Sequence, residues 1–342
     1  MHVVGKRTYV LAVVAAMTLP AGLPGCTTGA PPRKAAPASS GTSSSASSPS
    51  TSSSAAHHPR SPFTGRRGHA HKPVLTVKID NVAPARPPTG LSRADIVYIE
   101  RVEGGLSRIL AVFSSHVPKV VGPVRSARVS DLQLLRQFHH PAFAYSGAQG
   151  KLLPLIHRAP VRDLAEIRVP GPYFRSASRS VPHNLYLHPR KLLAKASHVS
   201  TAHDIGFRFG KAPPGGKRIT GRTVHYPAFS VTFHWSKKRK KWLVSMDGKP
   251  AGTTEGGRLG AATVVIQHVE EHPSRFRDSL GNATPYIKTV GSGKALVLRG
   301  GRAYRARWSR PKPRAGTTFK TRSGEPMVFA RGQVWVVYVP RR

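Results

Sequence analysis

The chain has 342 residues, with 54 Lys and Arg against 14 Asp and Glu, a formal net charge of +40 at neutral pH and one cysteine. A lone cysteine excludes any disulfide within the chain, and the length suits one or two globular domains once non-globular segments are set aside. So basic a chain calls for a polyanion as partner: nucleic acid, a membrane surface or an anionic polymer. The compartment decides among them.

Residues 1–26, MHVVGKRTYVLAVVAAMTLPAGLPGC, have the three parts of an export signal: Lys6 and Arg7, an apolar run from Tyr9 to Leu19, and small residues leading to Cys26. The apolar run is too short to span a bilayer, which needs about 20 residues. Leu23-Pro24-Gly25-Cys26 resembles the bacterial lipobox, with Pro24 where a small residue is usual. The sequence therefore predicts a signal peptide over 1–25 and acylation of Cys26, palmitate being a candidate chain. Such an anchor holds a protein to the outer face of the bacterial cell membrane. An exported chain has little access to nucleic acid, which leaves anionic cell-wall polymer, peptidoglycan and lipid headgroups as partners. Residues 26–72, rich in Ser, Ala, Pro and Thr, cannot bury enough apolar surface to offset their ordering entropy and are expected to form a disordered tether.

From Pro73 onward strands and helices alternate. VLTVKID (74–80) reads as a strand. ADIVYIERV (94–102) and SRILAVFSS (107–115) read as a hairpin closed by Glu103-Gly104-Gly105. The preferred register sets Val102 opposite Leu106, Glu100 opposite Arg108, Tyr98 opposite Leu110 and Ile96 opposite Val112, matching opposite charges and apolar pairs. Helical spacing follows over 126–140, over 148–158 with Pro154 as an interruption, and over 189–198. This predicts a mixed α/β fold of α+β class, with an N-terminal α/β domain over 73–212. Many short β-branched runs separated by DGKP, GSGK and RGGR predict a mostly antiparallel, β-rich C-terminal domain over 222–340.

Four of the 14 acids, Asp80, Asp95, Glu100 and Glu103, fall within 24 residues of the chain. Clustered carboxylates among arginines can do acid–base work or bind a cation or amine. The structural alternative has Asp80 and Asp95 capping turns and Glu100 paired with Arg108, leaving Glu103 at an exposed loop tip. In VGPVRSAR, Arg125 and Arg128 stand where a helix is expected to begin, and fork-shaped guanidinium donors there suit phosphate or carboxylate. The alternative makes Ser126 an N-cap and pairs the arginines with Glu100 or Glu103. His183 and Asn184 of VPHNLY are polar loop residues able to bond a ligand or orient a carboxylate. His268-Val269-Glu270-Glu271-His272 has the H-x-x-E-H spacing of inverted zinc peptidases, but it closes a β-branched run, where the two histidines would stand about 13 Å apart. No metal or cofactor is called for. Residues 237–241, KKRKK, form the tip of a second hairpin suited to anionic polymer or headgroups.

VKIDN, ARPPTGLSRADIVY, VEGGLSRILAVF, VGPVRSAR and RSASRSVPHNLY, with GSGKALVLRGGRAYRARWSR and GQVWVVYVP further on, resemble the DUF3048 family of YerB-like lipoproteins. The resemblance covers nearly all of the chain beyond the tether. It implies an exported, often lipid-anchored, two-domain protein, and no known reaction.

The expected function is binding of an anionic or glycan-containing envelope component. The alternatives are an envelope-polymer hydrolase or transferase with Glu103 and His183 as acid and base, and an extracytoplasmic scaffold for protein partners. The sequence leaves the ligand, the oligomeric state and the presence of any catalysis open. A cleft shared by Glu103, Arg125, Arg128 and His183 would favour a specific site.

Overall fold

A computed structural model describes residues 59–341, apart from 69 and 279. Cys26, the signal and the tether up to residue 58 lie outside the described residues, and the expected tether end at 72 is corrected, because Phe63 is buried in the core against Phe138. The first strands are β1 (Leu75–Asp80), β2 (Ile96–Arg101) and β3 (Ser107–Phe113). The β2–β3 hairpin adopts the expected register: Ile96 faces Val112, Tyr98 faces Leu110 and Glu100 faces Arg108, with the Val102 N–H donating to the Leu106 carbonyl at 2.9 Å. β1 adds antiparallel to β3, setting Lys78 opposite Leu110 and Asp80 opposite Arg108. Helix α1 (Val129–Leu135), β4 (Ala142–Ala144), α2 (Leu153–Arg158), β5 (Arg162–Asp163), the β6–β7 pair (Tyr173–Arg175 and Leu185–Leu187) and α3 (Pro189–Ala194) complete this half.

The C-terminal half begins with β8 (Lys217–Arg218), β9 (Gly221–Tyr226), β10 (Phe229–Ser236), β11 (Lys241–Met246), β12 (Lys249–Pro250) and β13 (Gly260–Ala261). It continues with β14 (Thr263–Arg277), β15 (Ala283–Lys288), β16 (Gly291–Arg299), β17 (Arg302–Arg310), β18 (Thr318–Thr321) and β19 (Val334–Pro340). One large sheet takes strands from both halves in the order β18-β17-β16-β14-β19-β2-β3-β1-β4-β5. The join is β19, which runs parallel to β14 on one side and to β2 on the other. Its sequence VWVVYV is apolar at every position because both faces are covered, as expected of a central parallel strand. Trp335 and Val337 pack into the core shared with the small β9–β13 sheet, whereas Val334, Val336 and Tyr338 pack on the opposite side with α1 and α2.

The mixed α/β expectation holds only loosely, because the described body is strongly β-rich. The three α-helices have seven, six and six residues. The helix expected over 126–140 starts at Val129, because residues 121–128 are extended and bond neighbouring segments: Val124 N–H to Leu185 O, Arg125 N–H to Lys78 O and Ala127 N–H to Gly147 O. Pro154 sits in the first turn of α2 and opens that helix instead of interrupting it, where its missing N–H costs nothing. The third helix stops at Ala194, short of the expected 198.

Candidate functional site

Side chains two apart on a strand share a face, so Lys78, Asp80, Glu100 and Arg108 all point to the side covered by α1. Glu100 and Arg108 are cross-strand neighbours, but the ion pair expected between them is not made. Glu100 Oε2 instead contacts Lys78 Nζ, and Lys78 Nζ lies 2.6 Å from Asp131 Oδ1 on α1, all three groups being fully buried. Burial, aided by the Asp131 charge, outweighs Lys78 and pushes the Glu100 carboxyl up to about 8. Burial also works against a charged Lys78, but its two carboxylate neighbours prevail and hold it protonated. At neutral pH the trio is a Lys–Asp ion pair with a neutral carboxyl group, a net-neutral arrangement that a dry core tolerates.

Arg108 turns to Asp80, with its Nε 3.3 Å from Asp80 Oδ1. Asp80 gathers two further partners: Arg125 Nε at 3.1 Å and His183 Nδ1 at 2.9 Å from Oδ2. Burial raises the Asp80 carboxyl, but Arg108, the His183 hydrogen bond and Arg125 together hold it below its usual value. Desolvation lowers the Arg108 guanidinium to about 10, with Asp80 opposing the fall. Asp95 is separate from this group. Its Oδ2 accepts the N–H groups of Ser114 and Ser115 at 2.7 and 2.8 Å and so caps the turn after β3.

Glu103 in the β2–β3 loop is not exposed, contrary to expectation. Gly105, at φ +72°, packs so closely on the 227–228 turn that a Cβ would lie 2.6 Å from Pro227 Cβ. Glu103 is consequently only 6% exposed. Arg128 Nε donates to both of its oxygens, at 2.7 and 2.9 Å, and the Thr284 hydroxyl on β15 donates to Oε1. Burial raises this carboxyl too, but Arg128 and Thr284 overcome it and keep Glu103 ionised below its usual range.

The helix-start reading of RSAR holds for Arg128, which directly precedes Val129, and is corrected for Arg125 and Ser126. Arg125 and Ser126 lie in the extended run before α1, and Ser126 caps nothing. The Arg128 N–H is satisfied by Asp131 Oδ2 at 2.6 Å.

Glu103, Arg125, Ser126 and Arg128 line one cleft of about 540 Å³, closed on the far side by Arg277, Asp278 and Thr284 from the C-terminal half. His183 does not line it. That residue is joined to the cleft through Asp80, which it shares with Arg125. Asn184 is buried and accepts from Arg175 Nη1 at 3.0 Å, so it is spent on structure. Lys78 and Asp131 were missed by sequence reasoning, although a lysine inside the apolar strand VLTVKID was a visible signal. Arg277 and Thr284 carried none, because only the join between the halves brings them here.

The His268–His272 segment lies within β14, as the strand reading required. Among the described residues no three His, Cys, Asp or Glu side chains converge to hold a metal, and no helix is long and apolar enough to cross a membrane.

Comparison with known proteins settles the family. Residues 63–202 match the N-terminal domain, and residues 222–336 the C-terminal domain, of the proteins of unknown function termed DUF3048. The chain belongs to the DUF3048 family. A DUF3048 relative, YerB of Bacillus subtilis strain 168, is 26% identical over 296 residues, covering 82% of this chain and 86% of YerB. The crystal structure of Bacillus subtilis YerB superposes with a TM-score of 0.71 at 23% identity, over 83% of this chain and 97% of that one. This likeness establishes that the two share a fold.

Proposed function

We propose that this DUF3048 protein is an exported lipoprotein whose folded body binds an anionic group of a cell-envelope component, a carboxylate or phosphate borne on a glycan, in the cleft around Arg125. Export and anchoring are supported by the LPGC motif at Cys26 and by the description of YerB as a candidate lipoprotein. One observation carries the binding reading. Arg125 lines the cleft and is half-buried, with its Nε 3.1 Å from Asp80 Oδ2, and its terminal N–H groups bond no described residue. A guanidinium fixed at one end with two parallel donors free at the other suits an oxyanion. Neighbouring Arg128 spends Nε on Glu103 and Nη1 on the Ser126 and Ala127 carbonyls.

The acid–base reading gains less support. Glu103 is committed to Arg128 and Thr284, and its lowered pKa makes it a poor proton donor. His183 bonds Asp80 and not Glu103.

Calorimetric titration with a soluble muramic-acid disaccharide peptide and with glycerol phosphate tests the reading, with neutral N-acetylglucosamine as the control. Arg125→Met should weaken binding of the acidic probes by about tenfold or more, the loss of one charge-assisted pair. Equal binding of the neutral sugar, or unchanged affinity in Arg125→Met, would overturn it.

A further inference from the structure

Residues 205–246 and 279–324 contain ten and eleven Lys or Arg and no Asp or Glu. The fold brings these two acid-free stretches together, because β8 pairs with β17 and a Cβ on Gly301 would meet the Trp235 ring of β10 at 2.8 Å. Between them lie two hollows of about 770 and 750 Å³ that share Pro214 and Tyr304 in their walls. Lys217, Arg222, Arg305 and Arg322 line the first, and Lys237 and Lys240 of the hairpin tip border the second. All six are exposed, and no carboxylate lines either hollow. None of the six makes an ion pair with a described residue, whereas Arg125 and Arg128 of the cleft both do. Two other arginines of the second hollow are structural: Arg299 donates to the Gly210 and Val328 carbonyls and Arg302 to the Gly216 carbonyl.

We infer that this joined groove is a second binding site, separate from the Arg125 cleft, for a linear polymer of polyol or sugar phosphodiester units. Three features select that chemistry. The basic side chains stand around a recess, which a thread-like chain can enter and a flat bilayer cannot. The floor carries Ile219, Leu296 and Ala303, apolar surface that suits the carbon face of a polyol or sugar between phosphates. No aromatic ring is offered as a stacking platform for nucleobases, on which binders of single-stranded nucleic acid depend. Tyr304 is buried, with Gly216 pressed so close that a Cβ would lie 2.6 Å from its ring, and Trp235 is partly covered by Gly301 and Trp242. The inference rests on the export reading only for which polymers are at hand; the groove's chemistry is independent of it.

The test titrates the full chain with labelled poly(glycerol phosphate) over a salt series. Replacing all six bases with Gln should reduce affinity at low salt by about 30-fold or more and flatten the slope of log affinity against log salt by about 0.7 per lost contact. A charge-matched control, with Gln at Lys119, Arg158, Arg162, Arg190, Lys191 and Lys195, all exposed on the N-terminal half, should lose only about twofold. The smaller variant Arg222→Gln with Arg305→Gln and Arg322→Gln keeps the test valid if the six-fold variant folds poorly, and should lose about fivefold. The six-fold groove variant should keep its affinity for monomeric glycerol phosphate within about twofold, which separates this site from the cleft. Equal losses in groove and control variants would reduce the effect to net charge and overturn the inference. It would be overturned equally by tighter binding of a charge-matched oligonucleotide, or by groove-dependent binding of phosphatidylglycerol vesicles without binding of the polymer.

Discussion

Glu103→Gln is the sharpest probe of the join between the two halves. The side chain is 6% exposed, receives two hydrogen bonds from Arg128 Nε and one from Thr284 of β15, and keeps its shape as Gln. What is lost is the charge opposite Arg128, while an amide oxygen remains to accept one or two of the bonds. Losing one charge-assisted pair in a largely buried setting costs about 2–3 kcal/mol, less than removing a partner outright. Unfolding entropy of about 2.1 cal/mol/K per residue gives a body of this size about 0.6 kcal/mol/K, so Tm should fall by about 3–5 °C. The pH dependence supplies the decisive control. The folded Glu103 carboxyl lies below its unfolded value of about 4.3, so its contribution is present above that pH and is lost as pH falls through the folded value. Differential scanning calorimetry should therefore show the gap between wild type and variant in full at neutral pH and closing under acid. A gap below about 1 °C at neutral pH, or one that persists unchanged in acid, would refute the partly buried ion pair.

Three further expectations follow from the same geometry. Because the Glu100 carboxyl is raised to about 8, its stabilising contribution is complete below the unfolded value of about 4.3 and is lost as pH rises through about 8. Glu100→Gln, which stays neutral at every pH, should match the wild type at about pH 4 and exceed it in Tm at neutral pH, by a gap that widens up to about pH 8; a variant that falls below the wild type as pH rises would contradict a neutral Glu100. Asp131→Asn, which removes the carboxylate paired with buried Lys78 and leaves Glu100 as its one acidic contact, should cost about 3 kcal/mol in urea unfolding, and a cost under about 1 would contradict the buried ion pair. Asp80→Asn should be similarly severe because Arg108 is buried beside it, while His183→Gln, on the partly exposed side of Asp80, should cost about 1 kcal/mol or less. For the anchor, Cys26→Ser should move the protein from the membrane fraction to the medium or leave an unprocessed precursor; unchanged fractionation with an unchanged N-terminal peptide mass would exclude lipidation there.

Local chemistry alone determined the β2–β3 register, because a two-residue period fixes every cross-strand partner once the Glu103-Gly104-Gly105 loop is placed. The strand identity of the His268–His272 segment and the KKRKK hairpin tip were legible for the same reason: each depends on residues close in the chain. The family was legible too, since its motifs are contiguous. The ion pairing was not. Period-two alternation says that Lys78, Asp80, Glu100 and Arg108 share a face, but which charges meet depends on what covers that face. Asp131, arriving on α1, draws Lys78 and with it Glu100, leaving Arg108 to Asp80. The burial of Glu103 was equally hidden, because Pro227 and Thr284 reach the loop tip from more than 100 residues away in the chain. Only the tertiary structure decided that β19 would run between β14 and β2 and draw both halves into one sheet. Parallel pairing of that kind needs long crossovers, and its partners are chosen by the burial of both sheet faces, which local composition does not encode.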